Sequence, residues 1–381
     1  MQVWDGETDS RITFDWSADT SPFENLPTVA TMTENANLVR GLLSRIAASG
    51  DENISIFSNT TVSSIENGTD HPDGPDLSAW PVLSLAPNGT AQSQLPTRIA
   101  ARLLVGADGI NSPVRRFADI ATEGWDYNRH GVVATLSLAD PDQVSFPIGT
   151  RTAYQRFLPT GPIAMLPLPG NHSTLVWSTT PENAARLKSL SPEDFTALVN
   201  AGFRLGPVDL KYMHGLPSGQ VDELNWRVQH TAFNPDIVPQ PVTSVQEGTV
   251  ASFPLRLQHA DTYIGERVAL VGDAAHTINP LAGQGLNLGQ GDVQALVRAI
   301  SVAVQHGQDI GTQMALEPYN SERYAVNHVM LGVCDKLHKL YSFGSGPLVP
   351  LRSVGLNAVN AMKPVKDFLI GQASGGGVRL F

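Results

Sequence analysis

Short apolar runs alternate with glycine- and proline-rich turns along the chain, and this pattern predicts a mixed α/β fold. The clearest run is RVALV at residues 267–271, which is followed directly by Gly272 and Asp273. A β-branched run of this length is typical of a strand buried on both faces. It therefore predicts a carboxylate at the carboxyl end of a strand, where open α/β sheets bind ligands.

A glycine-rich turn and a helix follow this strand. Pro280, Gly283, Gly285 and Gly289 leave bare backbone that can approach a flat or anionic ligand. A helix is predicted from Leu286, and its first N–H groups have no partner inside the helix. The predicted apolar face of this helix consists of Leu296, Val297, Ile300 and Val304. Strand, carboxylate, turn and helix N-terminus together predict a cofactor site.

A second strand–turn–helix pattern precedes it at residues 101–116. An apolar run at 103–105 ends in Gly106, Ala107, Asp108 and Gly109. Ser112 and Pro113 then have the N-cap and first-turn chemistry that begins a helix.

Periodicity predicts elements over most of the rest. The predicted strands are an alternating Ile12, Phe14 and Trp16, two short runs at 54–57 and 62–65, and an island at 80–85 within a loop-rich stretch, 66–96. Residues 131–180 read as strand-rich, with a hairpin at 154–168.

Helices are predicted at 35–48, after Thr180-Pro181, after Ser191-Pro192 and at 316–340. The helix at 35–48 carries Leu38, Leu42, Leu43 and Ile46 on one side. Residues 206–250 read as loop. The tail at 348–370 is either an amphipathic element on a membrane surface or a segment packed on the protein, with Gly355 and Pro364 interrupting any single helix.

Composition narrows the functional classes. The net charge of −11 argues against a nucleic-acid partner. The single cysteine, Cys334, excludes an intrachain disulfide, fits a reducing compartment and is expected to be a packed thiol. No apolar run reaches the ~20 residues of a membrane-spanning helix. Neither a Ser/His/Asp set nor a Cys/His metal cluster is recognisable, so no metal site is predicted.

Residues 267–292 resemble the second flavin-binding motif of the FAD-dependent aromatic hydroxylases, the p-hydroxybenzoate hydroxylase superfamily, and residues 101–116 resemble its Asp-Gly signature. The resemblance implies FAD as cofactor, with Asp273 holding a ribityl hydroxyl and the turn at 280–287 lying against the isoalloxazine. The residues it assigns to FAD are Asp108, Gly109, Gly272, Asp273, Ala274, Pro280, Gly283, Gln284, Gly285, Leu286, Asn287 and, on the helix at 35–48, Arg40. Arg40 fits an ordinary surface helix equally well.

The implied fold is α/β (mixed α+β), with a Rossmann-like FAD-binding domain interleaved with an antiparallel-sheet substrate domain and a C-terminal helical region. The expected limits are substrate-domain strands at 1–30, FAD-binding parts at 31–120 and 251–342, the substrate domain at 121–250 and the tail at 343–381. The sheet would cover the substrate with Phe157, Leu166 and Trp177, although each of these also fits core packing.

Within the superfamily, GERVALVGDAAHTINPLAGQGLNLGQGDV, RFLPTGPIAMLPLP and the tail at 338–364 look most like the eukaryotic ubiquinone-biosynthesis monooxygenases. This implies hydroxylation of a polyprenylated phenol with O2, through a flavin C4a-hydroperoxide. It also implies ferredoxin and its reductase, or NAD(P)H, as electron donor, membership of a ubiquinone-biosynthesis complex, and peripheral attachment to the matrix side of the mitochondrial inner membrane. Since the flavin carries the chemistry, no catalytic side chain is assigned; His276 is the weak candidate for proton transfer, with a structural turn role as the alternative.

One superfamily feature is absent from this sequence. No Gly-x-Gly-x-x-Gly fingerprint precedes residue 101, so the FAD-binding domain is expected to be N-terminally incomplete, and the hypothesis is that this chain alone binds FAD weakly or not at all. A sample that stays yellow through gel filtration would refute this. The competing functions are a soluble aromatic hydroxylase of other metabolism and a non-catalytic chain acting only within a biosynthetic complex.

Overall fold

The structure is a computed structural model that describes residues 1–14, 30–70, 72–88, 96–139 and 152–362. The chain forms two compact units. The first comprises Met1–Glu34, Asp126–Leu255 and Asp335–Phe381, and the second comprises Asn35–Trp125 and Arg256–Cys334.

The strands of the described residues are β1 (Gln2–Asp5), β2 (Arg11–Thr13), β3 (Thr60–Asn67), β4 (Pro81–Pro87), β5 (Arg98–Ala100), β6 (Leu104–Gly106), β7 (Thr122–Leu138), β8 (Tyr154–Leu158), β9 (Gly161–Pro167), β10 (His172–Thr179), β11 (Val242–Val245), β12 (Ala251–Ala260), β13 (Ile264–Gly265), β14 (Val268–Leu270) and β15 (His276–Thr277). The α-helices are α1 (Asn35–Ser49), α2 (Pro113–Phe117), α3 (Pro181–Ser189), α4 (Pro192–Arg204), α5 (Pro207–Gly215), α6 (Gln220–His230), α7 (Gly285–Gln305), α8 (Gln313–Tyr341) and α9 (Leu348–Ala361).

The first unit is built on a sheet in the order β2-β1-β8-β9-β10-β7, with β11 paired to β7. Strands β1 and β8 run parallel, whereas β8, β9, β10 and β7 are antiparallel neighbours. The predicted hairpin at 154–168 is confirmed as β8 and β9. Its tight return requires Gly161, which has a φ of +137° and would place any Cβ against the carbonyl oxygen of Ser178.

Two helices of this unit begin where their capping residues predict. The hydroxyls of Thr180 and Ser191 accept hydrogen bonds from the third residue beyond, and a proline occupies the first turn of each helix. Helix α4 buries nearly all of its second half, and the shared core includes Trp4, Trp177, Phe195, Leu198 and Phe203.

The second unit contains two small sheets. The first sheet consists of β13, β14 and β6, and β14 and β6 in it are parallel. The second sheet consists of the antiparallel strands β3, β4 and β5. The predicted strand at 267–271 is confirmed as β14, and all three of its residues are buried. Its core joins β14 to the inner faces of α7 and α8, through residues such as Ala295, Leu296, Leu316 and Tyr319.

Several predictions were wrong. Residues 54–57 form no strand. The stretch at 206–250 contains α5 and α6, whose N-caps are Gly206 and Gly219 and therefore lack the side-chain signals that announce a helix. Helix α9 runs through Gly355. Trp16 and Pro364 lie outside the described residues.

The predicted apolar face of one helix also needs correction. Val297 and Val304 are 56% and 62% exposed, because α7 buries a stripe of mostly small residues instead: Leu288, Asp292, Ala295, Leu296, Ala299 and Ala303. Helix α1 spans nearly the predicted range and has no buried residue, in agreement with the surface-helix alternative. Its Leu42, Leu43 and Ile46 are exposed.

Candidate functional site

The two candidate motifs lie side by side in the second unit because their strands are neighbours. Leu270, at the end of β14, pairs with Gly106, at the end of β6, and the N–H of Val271 donates to the carbonyl of Gly106 at 2.9 Å. Parallel strands place their carboxyl ends at one edge of a sheet, about 4.8 Å apart. In the chain, Asp108 comes shortly after the end of β6 and Asp273 shortly after the end of β14, and both residues are exposed.

Arg115 ties the two motifs together. Its guanidinium donates to the carbonyl of Ala274 and to the carbonyl of Ile110, each at 2.7 Å. The Asp108 carboxylate accepts from the N–H of Val114 at 3.1 Å, which anchors it to the first turn of α2. Burial lowers the pKa of Arg115 and the charge of Asp108 opposes this, so the two form one electrostatic unit.

The Gly-Asp turn depends on the close approach of two glycines. Gly272 has a φ of +60°, a conformation that favours glycine. A Cβ on Gly289 of α7 would lie 3.3 Å from the Cα of Gly272. Gly289 therefore allows helix α7 to pack closely against the turn at Gly272. This corrects the prediction that Gly289 leaves its backbone open to a ligand. Beyond the turn, desolvation raises the pKa of Asp273, and nearby His276 opposes the shift.

The glycine-rich turn before α7 presents open backbone. Asn279 caps a short 3-10 turn, Pro280–Ala282, by accepting from the N–H of Leu281 at 3.2 Å. Gly283 then has a φ of +61°, and a Cβ built there meets no atom within 4 Å. Helix α7 begins at Gly285, and the side chain of Gln284 does not cap it. The first-turn N–H groups of this helix therefore have no side-chain cap at the N-cap position.

A buried carboxylate behind the turn holds it in place. One oxygen of Asp292, on α7, accepts from the N–H of Gly272 at 3.1 Å and from His276 Nε2 at 2.6 Å. The other accepts from Arg323 Nε at 2.8 Å and from Asn327 Nδ2 at 3.0 Å, both on α8. Burial alone would raise the pKa of Asp292, but the hydrogen bonds from these partners bring it below its usual value. The ionised carboxylate thus fastens β14, α7 and α8 to one point.

Neither Asp292 nor Arg115 was among the predicted site residues. Asp292 had a detectable signal, because it lies four residues from both Leu288 and Leu296 on one helical stripe. A carboxylate on a buried stripe requires partners. Arg115 had no comparable signal, since its acceptors are backbone carbonyls, one of them contributed by a residue far away in the chain.

The residues present fit a flavin. Three buried polar atoms just before the glycine-rich turn have no hydrogen-bond partner within the described structure: His276 Nδ1, Thr277 Oγ1 and Asn279 Nδ2. Exposed carboxylates suit ribityl hydroxyls, and an open glycine turn at a helix N-terminus suits the polar edge of a flat ring. His276 is 1% exposed and engaged through Nε2, which favours its structural role over proton transfer.

The other predicted residues are distributed differently. Arg40 lies on α1 and is exposed. Phe157 stacks on Tyr341 in the first unit, with ring centroids 3.9 Å apart. Trp177 pairs with Ile163 across β9 and β10, whereas Leu166 pairs with Thr174, so these two side chains lie on opposite faces of the sheet. Trp177 is wholly buried against α4, which fits its alternative role in core packing.

Two observations concern other kinds of site. Across the described ranges, no group of three or more metal-ligating side chains occurs. None of the helices described is both long and apolar enough to cross a membrane.

Comparison with known proteins accords with this site. The FAD binding domain family matches residues 51–214 and 217–332. Among solved structures, p-nitrophenol 4-monooxygenase PnpA from Pseudomonas putida superimposes with a TM-score of 0.65 at 17% identity, over 99% of this chain and 80% of that one. The anhydrotetracycline hydroxylase OxyS from Streptomyces rimosus gives a TM-score of 0.59 at 17% identity, over 90% of this chain and 56% of that one. These likenesses establish the fold.

The chain belongs to the FAD-dependent monooxygenases that carry this FAD binding domain, and its cofactor is FAD. Its place within them is among the ubiquinone biosynthesis monooxygenases. The mitochondrial COQ6 protein of Saccharomyces cerevisiae is 44% identical over 90% of this chain and 71% of its own length. Those of Schizosaccharomyces pombe and Homo sapiens are 40% and 35% identical, each over 98% of this chain and 74% and 75% of their own lengths.

Proposed function

We propose that this chain hydroxylates the aromatic ring of a polyprenylated phenol in ubiquinone biosynthesis. The observation that carries the proposal is the pairing of two parallel strands, β6 and β14, each followed by an exposed carboxylate (Asp108 and Asp273), with the two segments linked by Arg115. The curated relatives named for ubiquinone biosynthesis support the substrate class. When bound, FAD supplies the redox chemistry that activates O2 for insertion into an electron-rich ring.

The side chains of the second unit have binding and positioning roles in this proposal. The Asp273 carboxylate would accept hydrogen bonds from ribityl hydroxyls, and Asp108, which follows the paired strand β6, would contribute a second carboxylate. Backbone N–H groups of residues 283–287, at the positive end of α7, would hold the polar edge of the flavin ring. The hydrogen bonds of Arg115 and Asp292 hold these groups in position. Arg40 is retained as a further contact, because its exposed side chain is free to reach a ligand.

The sheet of the first unit offers an apolar surface for the substrate. Cross-strand pairs place Val133, Ala164, Leu166 and Val176 on the face opposite Trp177, with Phe157 on the same side. The first four are half-buried and form an accessible apolar patch, with the polar residues Thr135 and Thr174 on the same face. We assign the first unit to substrate binding and the second to FAD binding.

The cellular setting follows from the relatives, which are named as mitochondrial proteins. We propose a peripheral position on the matrix side of the inner membrane, within a ubiquinone-biosynthesis complex. Electrons would come from ferredoxin and its reductase, as in the eukaryotic enzymes that this chain resembles, with NAD(P)H as the alternative donor.

A labelling experiment tests the reaction. The flavin-loaded chain is incubated under ¹⁸O2 with a short-chain prenylated phenol, and separately with ferredoxin plus its reductase or with NADPH. The proposal predicts one ¹⁸O atom in the ring of the prenylated phenol. Oxidation only of a small water-soluble phenol with NADPH would instead favour a soluble aromatic hydroxylase. Flavin binding without any product under either donor would favour a non-catalytic role.

A further inference from the structure

Helix α9 has a mostly apolar sequence, and its only charged side chain is buried. Its sequence, LVPLRSVGLNAVNA, contains a single charged residue, Arg352. A helix that is hydrophobic all round normally belongs to a core or to a membrane environment. In α9, however, Arg352 is the only buried residue.

Polar contacts attach the inner side of α9 to the first unit. Arg352 forms a bidentate ion pair with Asp5 at 2.7 and 3.0 Å and donates to the carbonyls of Leu340 and Phe343. Ser353 and Asn360 add hydrogen bonds to Thr8 and Thr13. The orientation of the helix is therefore determined by groups that cannot be left unpaired in the interior.

The outer side is left apolar and uncharged. Leu351 and Val354 are 65% and 66% exposed, and Leu348 and Met362 are also exposed. Phe343, in the turn before the helix, adds an exposed aromatic ring. Between Leu348 and Met362 the exposed positions include no charged residue, and contiguous apolar surface of this kind marks an interaction site.

The charge of the adjoining sequence indicates which partner this surface fits. The chain as a whole carries −11, which disfavours an anionic surface. Residues 363–381 reverse this balance, with Lys363, Lys366 and Arg379 against the single acid Asp367. An apolar helix face that is followed in the sequence by a basic segment is a combination that binds anionic lipid, through burial of side chains and attraction to headgroups.

We infer that the outer face of α9 docks the protein onto an anionic bilayer surface. The inference rests on the proposed function in one respect: a polyprenylated phenol resides in the bilayer, so its hydroxylase gains from being held there. Leu351 and Val354 would enter the interface between headgroups and acyl chains. Arg352 positions the helix and does not itself contact lipid, since it is paired with Asp5.

Vesicle flotation of the full chain tests this inference. Vesicles of phosphatidylcholine, with or without an anionic phospholipid, are mixed with the wild type and with a Leu351→Asp/Val354→Asp variant. The wild type should float with the anionic vesicles, less so as salt is raised, and the variant should bind at least about tenfold more weakly. The matched control is Val208→Asp/Val221→Asp, which places two acids at exposed valines of α5 and α6 in the same unit and should float like the wild type.

Three results would overturn the inference. The wild type does not bind anionic vesicles, or both double variants lose binding equally, or light scattering shows a wild-type dimer that Leu351→Asp/Val354→Asp dissociates. Unchanged thermal unfolding of the variant excludes misfolding. Flavin titration of the wild type and the same variant separates this inference from the proposed function. A variant that binds flavin as the wild type does but no longer floats supports docking. A wild type that floats but does not bind flavin would refute the proposed function alone.

Discussion

The carboxylate of Asp292 accepts a hydrogen bond from the backbone N–H of Gly272 at 3.1 Å, and this contact joins helix α7 to the turn that presents Asp273. The same carboxylate accepts from His276, Arg323 and Asn327. The buried carboxylate of Asp292 therefore fixes the turn that presents the exposed carboxylate of Asp273. We therefore propose that stability depends on Asp292 and cofactor binding on Asp273.

Removal of Asp292 should destabilise the fold. Asp292→Ala leaves the Arg323 charge and the His276 and Asn327 side chains without their buried acceptor, which should lower the free energy of unfolding by about 3–5 kcal/mol. Urea unfolding followed by circular dichroism measures this. Asp273→Ala is the control: Asp273 is exposed, so its loss should change stability by no more than about 0.5 kcal/mol. Equal effects of the two variants would contradict the separation of roles.

The Gly272–Gly289 crossing predicts a contrast between two helical glycines. Gly289→Ala places a methyl group 3.3 Å from the Cα of Gly272, so the turn must shift, and FAD affinity should fall. Gly332→Ala, in α8, meets no atom within 4 Å and should stabilise the chain by about 0.5–1 kcal/mol through helix propensity. Flavin fluorescence titration and thermal unfolding check the pair. Unchanged flavin affinity in Gly289→Ala would show that the turn does not need this close approach.

Stability should decrease on mild acidification because two histidines are held neutral. Desolvation lowers the pKa of both His259 and His214 from 6.5 to about 4, aided at His259 by His276 and His328, and at His214 by Arg186. When the pH is below 6.5, the pKa of these histidines in the unfolded chain, the unfolded chain binds protons that the folded chain does not. The stability from these groups is therefore complete above about pH 6.5 and is lost as the pH falls toward 4.

Urea midpoints measured between about pH 7 and about pH 4.5 test this window. The wild-type midpoint should fall across it, and His259→Gln/His214→Gln should fall less steeply, because glutamine does not titrate. Parallel pH profiles for the wild type and the double variant would show that other groups control the acid response.

Local signals in the sequence predicted much of the frame, and tertiary contacts determined the rest. The N-caps Thr180 and Ser191 each act within one helical turn, so their helices could be predicted from adjacent residues. Helix α6 could not be predicted in this way, because its N-cap is Gly219. This glycine has a left-handed conformation and no side chain that would signal a helix start in the sequence.

The candidate site was predicted in part for the same reason. Residues 272–287 form one continuous motif, so the turn and the start of α7 were visible in the sequence. The face of α7 was predicted wrongly at Val297 and Val304, because a helix that crosses a strand end closely buries alanines and leaves its valines outside. That Arg115 bridges to Ala274 is a long-range contact, which periodicity does not encode.

The dissociation constant of FAD, measured by flavin fluorescence titration for Asp108→Ala, Asp273→Ala and Asp261→Ala, tests the central claim most directly. Loss of a hydrogen bond to a charged group costs about 1.5–3 kcal/mol, so Asp273→Ala should bind FAD about tenfold to a hundredfold more weakly. Asp108→Ala should also weaken binding, and Asp261→Ala, at another exposed acid of the same unit, should not. Unchanged affinity in both Asp108→Ala and Asp273→Ala would contradict the assignment of the flavin to these two strand ends.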